Sequence, residues 1–157
     1  MKTKGTTRFW LMKSEPESYS IDDLKHEKKT PWEGVRNYQA RNFMRDEMQS
    51  GDGVLFYHSS TKIPGVAGIG KVVGKPYPDP TQFDRKSHYF DPKSTKENPR
   101  WFLIDVKFVK KFKDFVSLFD LKLDHDFDDM MLMQKGSRLS IQPVSRKHFD
   151  AIVERGK

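Results

Sequence analysis

The stretch from Gly65 to Gly74 constrains this chain more than any other segment. Glycine recurs at 65, 68, 70 and 74 among Val66, Ala67, Ile69, Val72 and Val73. β-Branched residues favour a strand, and glycine inside a strand marks a bend or a close approach by another backbone. A phosphate-cradling loop is the competing reading, and the spacing removes it. Gly68-Ile-Gly70-Lys-Val-Val73 lacks the third glycine, and no Gly-Lys-Ser/Thr run occurs. The segment predicts a curved, barrel-like sheet.

Further strands are expected at Arg8–Lys13, around Phe9-Trp10-Leu11-Met12, and at Val54–Tyr57. Trp101 to Val109 alternates, with Phe102, Ile104, Val106 and Phe108 on one side. Ser20 caps a short helix running to about His26, with Asp23 in its first turn. Asn37 stands at the N-cap of a helix over 38–48, whose apolar positions 40, 43, 44 and 48 share a side. Ser50-Gly51-Asp52-Gly53 ends it. Short helices are expected at about 117–122 and 127–133. Ser145 opens a last helix carrying Phe149, Ile152 and Val153 that ends before Gly156. These pieces describe one α+β domain over residues 1–157, with 1–8 as a flexible N-terminus. The proline-rich stretch from Pro76 to Pro99, with Phe83, Tyr89 and Phe90, is long enough for a loop with a function or with mobility.

The chain has no cysteine, which excludes disulfides, thiolate metal sites and a cysteine nucleophile. No run approaches the roughly 20 apolar residues of a membrane span, and Met1–Arg8 does not lead into a signal-like segment. A cytoplasmic location is expected, or a nuclear one in a eukaryote. Lys and Arg number 29 against 22 Asp and Glu, a net charge of +7 that favours contact with a polyanion.

The densest chemistry lies in Trp32-Glu-Gly-Val-Arg-Asn-Tyr-Gln-Ala-Arg41. Stacking faces and hydrogen-bonding edges mixed this closely suit a pocket for a flat polar ligand such as a nucleobase. Lys13, Ser14 and Glu15 cluster where a buried strand reaches Pro16. His58 sits at a similar strand exit, either as a general base or as a hydrogen-bonding structural group. Arg138, Ser140 and Gln142 alternate and would share one face of a strand, either solvent-facing or pocket-lining. Lys107, Lys110, Lys111 and Lys113 form a basic patch after a strand, as solvated surface or as phosphate contacts. His125-Asp-Phe-Asp-Asp129 lacks calcium-loop spacing, so neither metal nor cofactor is expected.

Several stretches resemble the EVE domain of the PUA-like superfamily. They are Trp10-Leu-Met-Lys-Ser-Glu-Pro16, Trp32 to Phe43, Gly51-Asp-Gly-Val-Leu-Phe-Tyr-His-Ser59, Tyr77-Pro-Asp79, Asn98-Pro-Arg-Trp101 and Ser137-Arg-Leu-Ser-Ile-Gln-Pro143. They occur in order from about residue 9 to 153. The resemblance implies a small PUA-like β pseudo-barrel flanked by short helices, and a domain that reads modified bases, 5-methylcytosine-type marks foremost, in DNA or RNA. A more distant likeness to YTH readers of methylated adenine implies a pocket role for Lys13, Ser14 and Trp32, with Glu33 following the Trp.

On that footing Trp32 would stack on a flipped base, a contact worth about 1–3 kcal/mol. Ser14, Glu15, Asn37 and His58 would meet the base edge. Arg36, Arg41 and Arg138 would hold phosphate or anchor the pocket, with Ser140 beside them. Tyr38 would join the pocket or pack at the helix start. The expected function is a non-catalytic nucleic-acid reader. The alternatives are an enzyme acting on modified nucleic acid, using Glu15 or His58, and a small-metabolite or protein-interaction module using the same pocket.

Overall fold

The computed structural model describes residues 6–135 and 138–157. The expectation of a flexible N-terminus therefore lies largely outside the described residues. Six strands form one mixed sheet: β1 (Phe9–Ser14), β2 (Lys29–Pro31), β3 (Gly53–His58), β4 (Gly65–Pro78), β5 (Phe102–Ser117) and β6 (Ile141–Val144). Their order across the sheet is β2-β5-β4-β3-β1-β6. β1 and β3 run parallel, and every other pairing is antiparallel. Short helices complete an α+β architecture that matches the expected pseudo-barrel: α1 (Ile21–Glu27), α2 (Tyr38–Asn42), α3 (Leu118–Lys122) and α4 (Arg146–Gly156).

The helix starts follow from local chemistry. Ser20 and Asp23 form a reciprocal capping box on α1. The Asn37 side chain accepts from the Ala40 N–H, and Ser145 Oγ from the His148 N–H. α2 continues as a π-helical turn over Phe43–Glu47, so the expected 38–48 helix is one unit with a change of winding. Its Ala40, Met44 and Met48 are fully buried.

Strand alternation sorts side chains into two cores, one on each face of the sheet. Trp10, Met12, Val54 and Phe56 enter the first, while Leu11, Leu55 and Tyr57 enter the second. β5 serves both. Ile104 and Val106 belong to the first core, with Phe108 packed against it, but Phe112 and Val116 belong to the second. The register explains the switch: Ile69 pairs with Lys110 and Gly70 with Phe108, leaving Val109 as the extra residue of a bulge. One inserted residue reverses the parity that follows it, as far as the next register shift opposite Val66–Gly68.

The glycines of β4 do what their spacing implied. A Cβ on Gly68 would lie 2.4 Å from the Lys110 carbonyl oxygen and 2.8 Å from Ile21 Cδ1. At Gly70 it would meet Val106 Cγ1 at 2.7 Å. Backbone and core crowd these positions so closely that only glycine fits.

Four expectations need correction. β4 and β5 extend well past Gly74 and Val109, so Lys110, Lys111 and Lys113 lie on β5 rather than after it. The expected helix at 127–133 is instead two 3-10 turns, His125–Phe127 and Met131–Met133. β6 begins only at Ile141, so Arg138 and Ser140 precede it, and buried Gln142 turns its Nε2 back to the Leu139 carbonyl. The three therefore do not share one strand face. α4 runs through Gly156 rather than ending before it.

Gly68→Ala is expected to lower stability by about 1–3 kcal/mol through overpacking against β5. Lys71→Ala, at an exposed position on the same strand, should stay within about 0.5 kcal/mol. Urea unfolding midpoints of the two variants check both.

Candidate nucleic-acid interface

A cavity of about 560 Å3 opens where β1 leaves the sheet, between that strand exit and the segment after β2. Its size is ordinary for a small-ligand site. Lys13, Ser14 and Glu15 contribute from β1; Trp32, Glu33 and Arg36 contribute from the segment after β2; Ser140 comes from the approach to β6. Seven of the expected site residues thus line a single space.

The β1 exit is held by backbone chemistry. Ser59 N–H donates to the Ser14 carbonyl, and Lys13 N–H donates to the Ser140 carbonyl. Ser14 Oγ donates to the Tyr19 carbonyl at 2.6 Å, which leaves its lone pairs free to accept. Across the cavity, Trp32 N–H donates to the Ile104 carbonyl, extending the β2–β5 pairing by one residue. The indole is 8% exposed and meets Phe56 edge to face at 5.6 Å.

Two donors among the lining residues have no acceptor among the described residues. Lys13 follows Leu11 on the face of the second core, where its Nζ lies 5.9 Å from the ring centre of Tyr57 and has no ion-pair partner among the described residues. Burial pushes the Lys13 ammonium below its ordinary value. Trp32 Nε1–H likewise meets no acceptor among the described residues, and no described polar side-chain atom is both fully buried and unpaired, so this N–H keeps access to the cavity. Glu15 and Glu33 also line the cavity. Glu33 is pushed above its ordinary value by burial and then by Asp79.

Arg36 lines the cavity but is occupied. Nε and Nη2 donate to the Tyr89 carbonyl at 3.2 and 2.7 Å, and Nη2 also donates to Thr81 Oγ1. Nη1 donates to the Val35 carbonyl and to Asp79 Oδ2. A guanidinium has five N–H groups, and all five are used. Asp79, 1% exposed, also accepts from Gly34 N–H, Thr81 N–H and Thr81 Oγ1.

Behind this knot stands Gln82, fully buried. Its Nε2 donates to the carbonyls of Asp79 and Trp101, while its Oε1 accepts from Ser94 Oγ and from the N–H groups of Arg100 and Trp101. The long loop after β4 is therefore tied down, and it brings Tyr89 to the cavity.

The other expected site residues stand elsewhere. Asn37 is engaged as the α2 cap. Tyr38 stacks on Trp101 at 4.8 Å, and Arg41 lies over Tyr38 while bonding the Arg100 carbonyl and Asn42. Arg138 is exposed and outside the cavity lining. His58 Nε2 accepts from Ile21 N–H at 3.1 Å, so the imidazole pins the start of α1.

The model of the EVE domain matches residues 8–155. The chain belongs to the EVE domain family. It is 44% identical to human thymocyte nuclear protein 1 over 169 residues, covering 96% of this chain and 74% of the relative. Among solved structures, the human THYN1 protein in complex with 5-methylcytosine-containing DNA superposes with a TM-score of 0.87 at 43% identity, covering 94% and 96% of the two chains. The YTH domain of the Zygosaccharomyces rouxii MRB1 protein, in complex with N6-methyladenosine RNA, shares the fold with a TM-score of 0.54 at 14% identity, covering 100% and 91%.

In this EVE domain the cavity also uses residues that sequence reasoning passed over: Ser18, Tyr19, Thr30 and Tyr89. Tyr19 is an aromatic just ahead of a helix cap, a pattern that also suits ordinary packing. Tyr89 lay in a loop already conspicuous for its aromatics, but only the tertiary contacts of Arg36 and Gln82 say where that loop goes.

Burial, with a smaller push from the Lys111 ammonium, depresses His58 below its ordinary value of 6.5, and its neutral ring accepts the Ile21 N–H. The unfolded state then binds the proton more readily. The stabilising contribution is full above pH 6.5 and is lost as pH falls through the lower folded value. His125 has the opposite shift, raised by Asp128, so the comparison must be differential. The gap in urea stability between the unsubstituted protein and His58→Gln is expected to be wider at pH 7.5 than at pH 5. A gap independent of pH would contradict the assignment.

Proposed function

We propose that this EVE domain is a non-catalytic reader that takes a single modified base of the 5-methylcytosine type from a nucleic-acid strand. The observation that carries the reading is the cavity's donor and acceptor set. Among the described residues Trp32 Nε1–H is a donor without an acceptor, and Lys13, Glu15 and Glu33 line the same cavity. A cytosine-type edge presents ring acceptors and an exocyclic amine, and carboxylates are the natural acceptors for that amine. Ser14 Oγ adds a further acceptor, and Trp32 gives the cavity an aromatic floor.

Charge and kinship point the same way. The net charge of +7 suits a polyanion, and exposed Lys107, Lys110 and Lys113 on β5 are available to phosphate. The relative at 43% identity was solved with 5-methylcytosine-containing DNA. Binding rather than catalysis is favoured by His58, whose ring nitrogen is committed to the α1 backbone. The reading agrees with a nuclear location in a eukaryote, as the name of the human relative suggests, or a cytoplasmic one in a cell without a nucleus.

The test is binding of short oligonucleotides, single- and double-stranded, carrying one central cytosine or 5-methylcytosine. Burying the methyl group alone contributes ~0.8 kcal/mol, roughly a fourfold preference, and shape exclusion would raise it. Absence of binding to every oligonucleotide at low salt rules the reading out. Turnover of the oligonucleotide that disappears in Glu15→Ala would replace it with an enzyme.

Arg36→Lys is expected to leave the slope of log affinity against log salt unchanged, because no N–H of Arg36 is free for phosphate. A phosphate contact would flatten that slope by about 0.7 on a single strand.

A further inference from the structure

Trp32 leaves a question that the cavity itself answers. At 8% exposure its indole cannot offer a whole face to a base. Of the two other aromatic rings that line the cavity, Tyr19 packs partly buried against the first core, while Tyr89 is 41% exposed. Its position is built rather than incidental. A Cβ on Gly34 would lie 2.6, 2.6 and 2.9 Å from Cε2, Cζ and Cε1 of Tyr89. Near-equal distances to three ring atoms mean that one face of the phenol ring lies flat on the Gly34 backbone. Gly34 has φ +85, a conformation suited to glycine, and its N–H is held by Asp79. Arg36 completes the clamp with two hydrogen bonds to the Tyr89 carbonyl, and its guanidinium carbon lies 5.5 Å from the ring centre. Gly34 and Arg36 hold the ring and His88 stands nearly perpendicular to it at 5.8 Å, and what remains open of the aromatic surface borders the cavity.

We propose that Tyr89 is the outer stacking wall for the base, and that Gly34 and Arg36 are positioning residues that act through it. The proposal rests on the reader function above and adds the residue that supplies the stacking surface. It also requires a planar ring as ligand, since a stacking wall gains little from a saturated one.

The experiment compares the unsubstituted protein with Tyr89→Phe, Tyr89→Ala, Gly34→Ala and the Gly34→Ala/Tyr89→Ala double variant. The probe is a short single strand carrying one central 5-methylcytosine, set against the same strand with an abasic position there. Thermal unfolding verifies that each variant is folded. Tyr89→Phe should bind within about twofold of the unsubstituted protein, and Tyr89→Ala about 5- to 100-fold more weakly on the base-containing strand only. Both proteins should bind the abasic strand equally and show the same salt slope, because the ring touches no phosphate. Gly34→Ala should reproduce the loss, and the double variant should be no weaker than Tyr89→Ala, since both changes remove one wall.

Failure of the unsubstituted protein to bind either strand overturns the reader function itself. Base-dependent binding that survives Tyr89→Ala overturns the wall and leaves the reader standing. Additive losses in the double variant overturn the positioning role of Gly34. A general fall in affinity on both strands points to phosphate contact or collapse of the loop, and likewise overturns the proposal.

Discussion

At Gly68 and Gly70 the backbones of β4 and β5 lie closer than a side chain between them would permit, and the two longest strands of the fold are joined there. That contact sets the path of β5. With the bulge at Val109 beside it, β5 passes from one core to the other, so a single strand carries Ile104 and Val106 into the first and Phe112 and Val116 into the second. β1 and β3 are buried by both cores at once, and the polar groups of β1 surface only at its end. The cavity lies at that end. Its place follows from the ribbon beneath it more than from any residue in its wall.

Locally determined features were open to reading in the sequence. The caps at Ser20, Asn37 and Ser145 need only a side chain within reach of amides three residues on, and each is present. β1 and β3 were visible because an apolar run is its own signal. The second half of β5 was hidden because the Val109 bulge breaks the alternation that identified the first half. Lys110 to Phe112 then looks like a charged tail, although it is strand. At the site, Lys13-Ser14-Glu15 and Trp32-Glu33 are neighbours in sequence before they are neighbours in space. Tyr89 is neither, and its place depends on Gln82 and Asp79, whose long-range partners Ser94, Trp101 and Gly34 lie 12 to 45 residues away. Arginine gives the same lesson in reverse. Arg36 and Arg41 carry the residue type expected of phosphate contacts, but sequence alone does not reveal that all five donors of Arg36 and three of Arg41 are engaged within the fold.

The charge available to a polyanion therefore falls chiefly to lysine. Lysines act as point charges at the ends of flexible stems, which suits tolerance of different backbones, whereas the committed guanidiniums suit fixed geometry. Arg36 and Arg41 serve the molecule's own architecture, while Lys107, Lys110 and Lys113 stand exposed on its surface. On the proposed reading, discrimination and general attraction fall largely to separate residues.

The five hydrogen bonds of Gln82 have a kinetic consequence. They order the loop that bears Tyr89 as part of folding, so no further loss of freedom accompanies the arrival of a ligand. On the proposed reading, a cavity whose walls stand ready admits different bases at similar rates. What separates them is residence time: the preferred base stays longer, and the others leave.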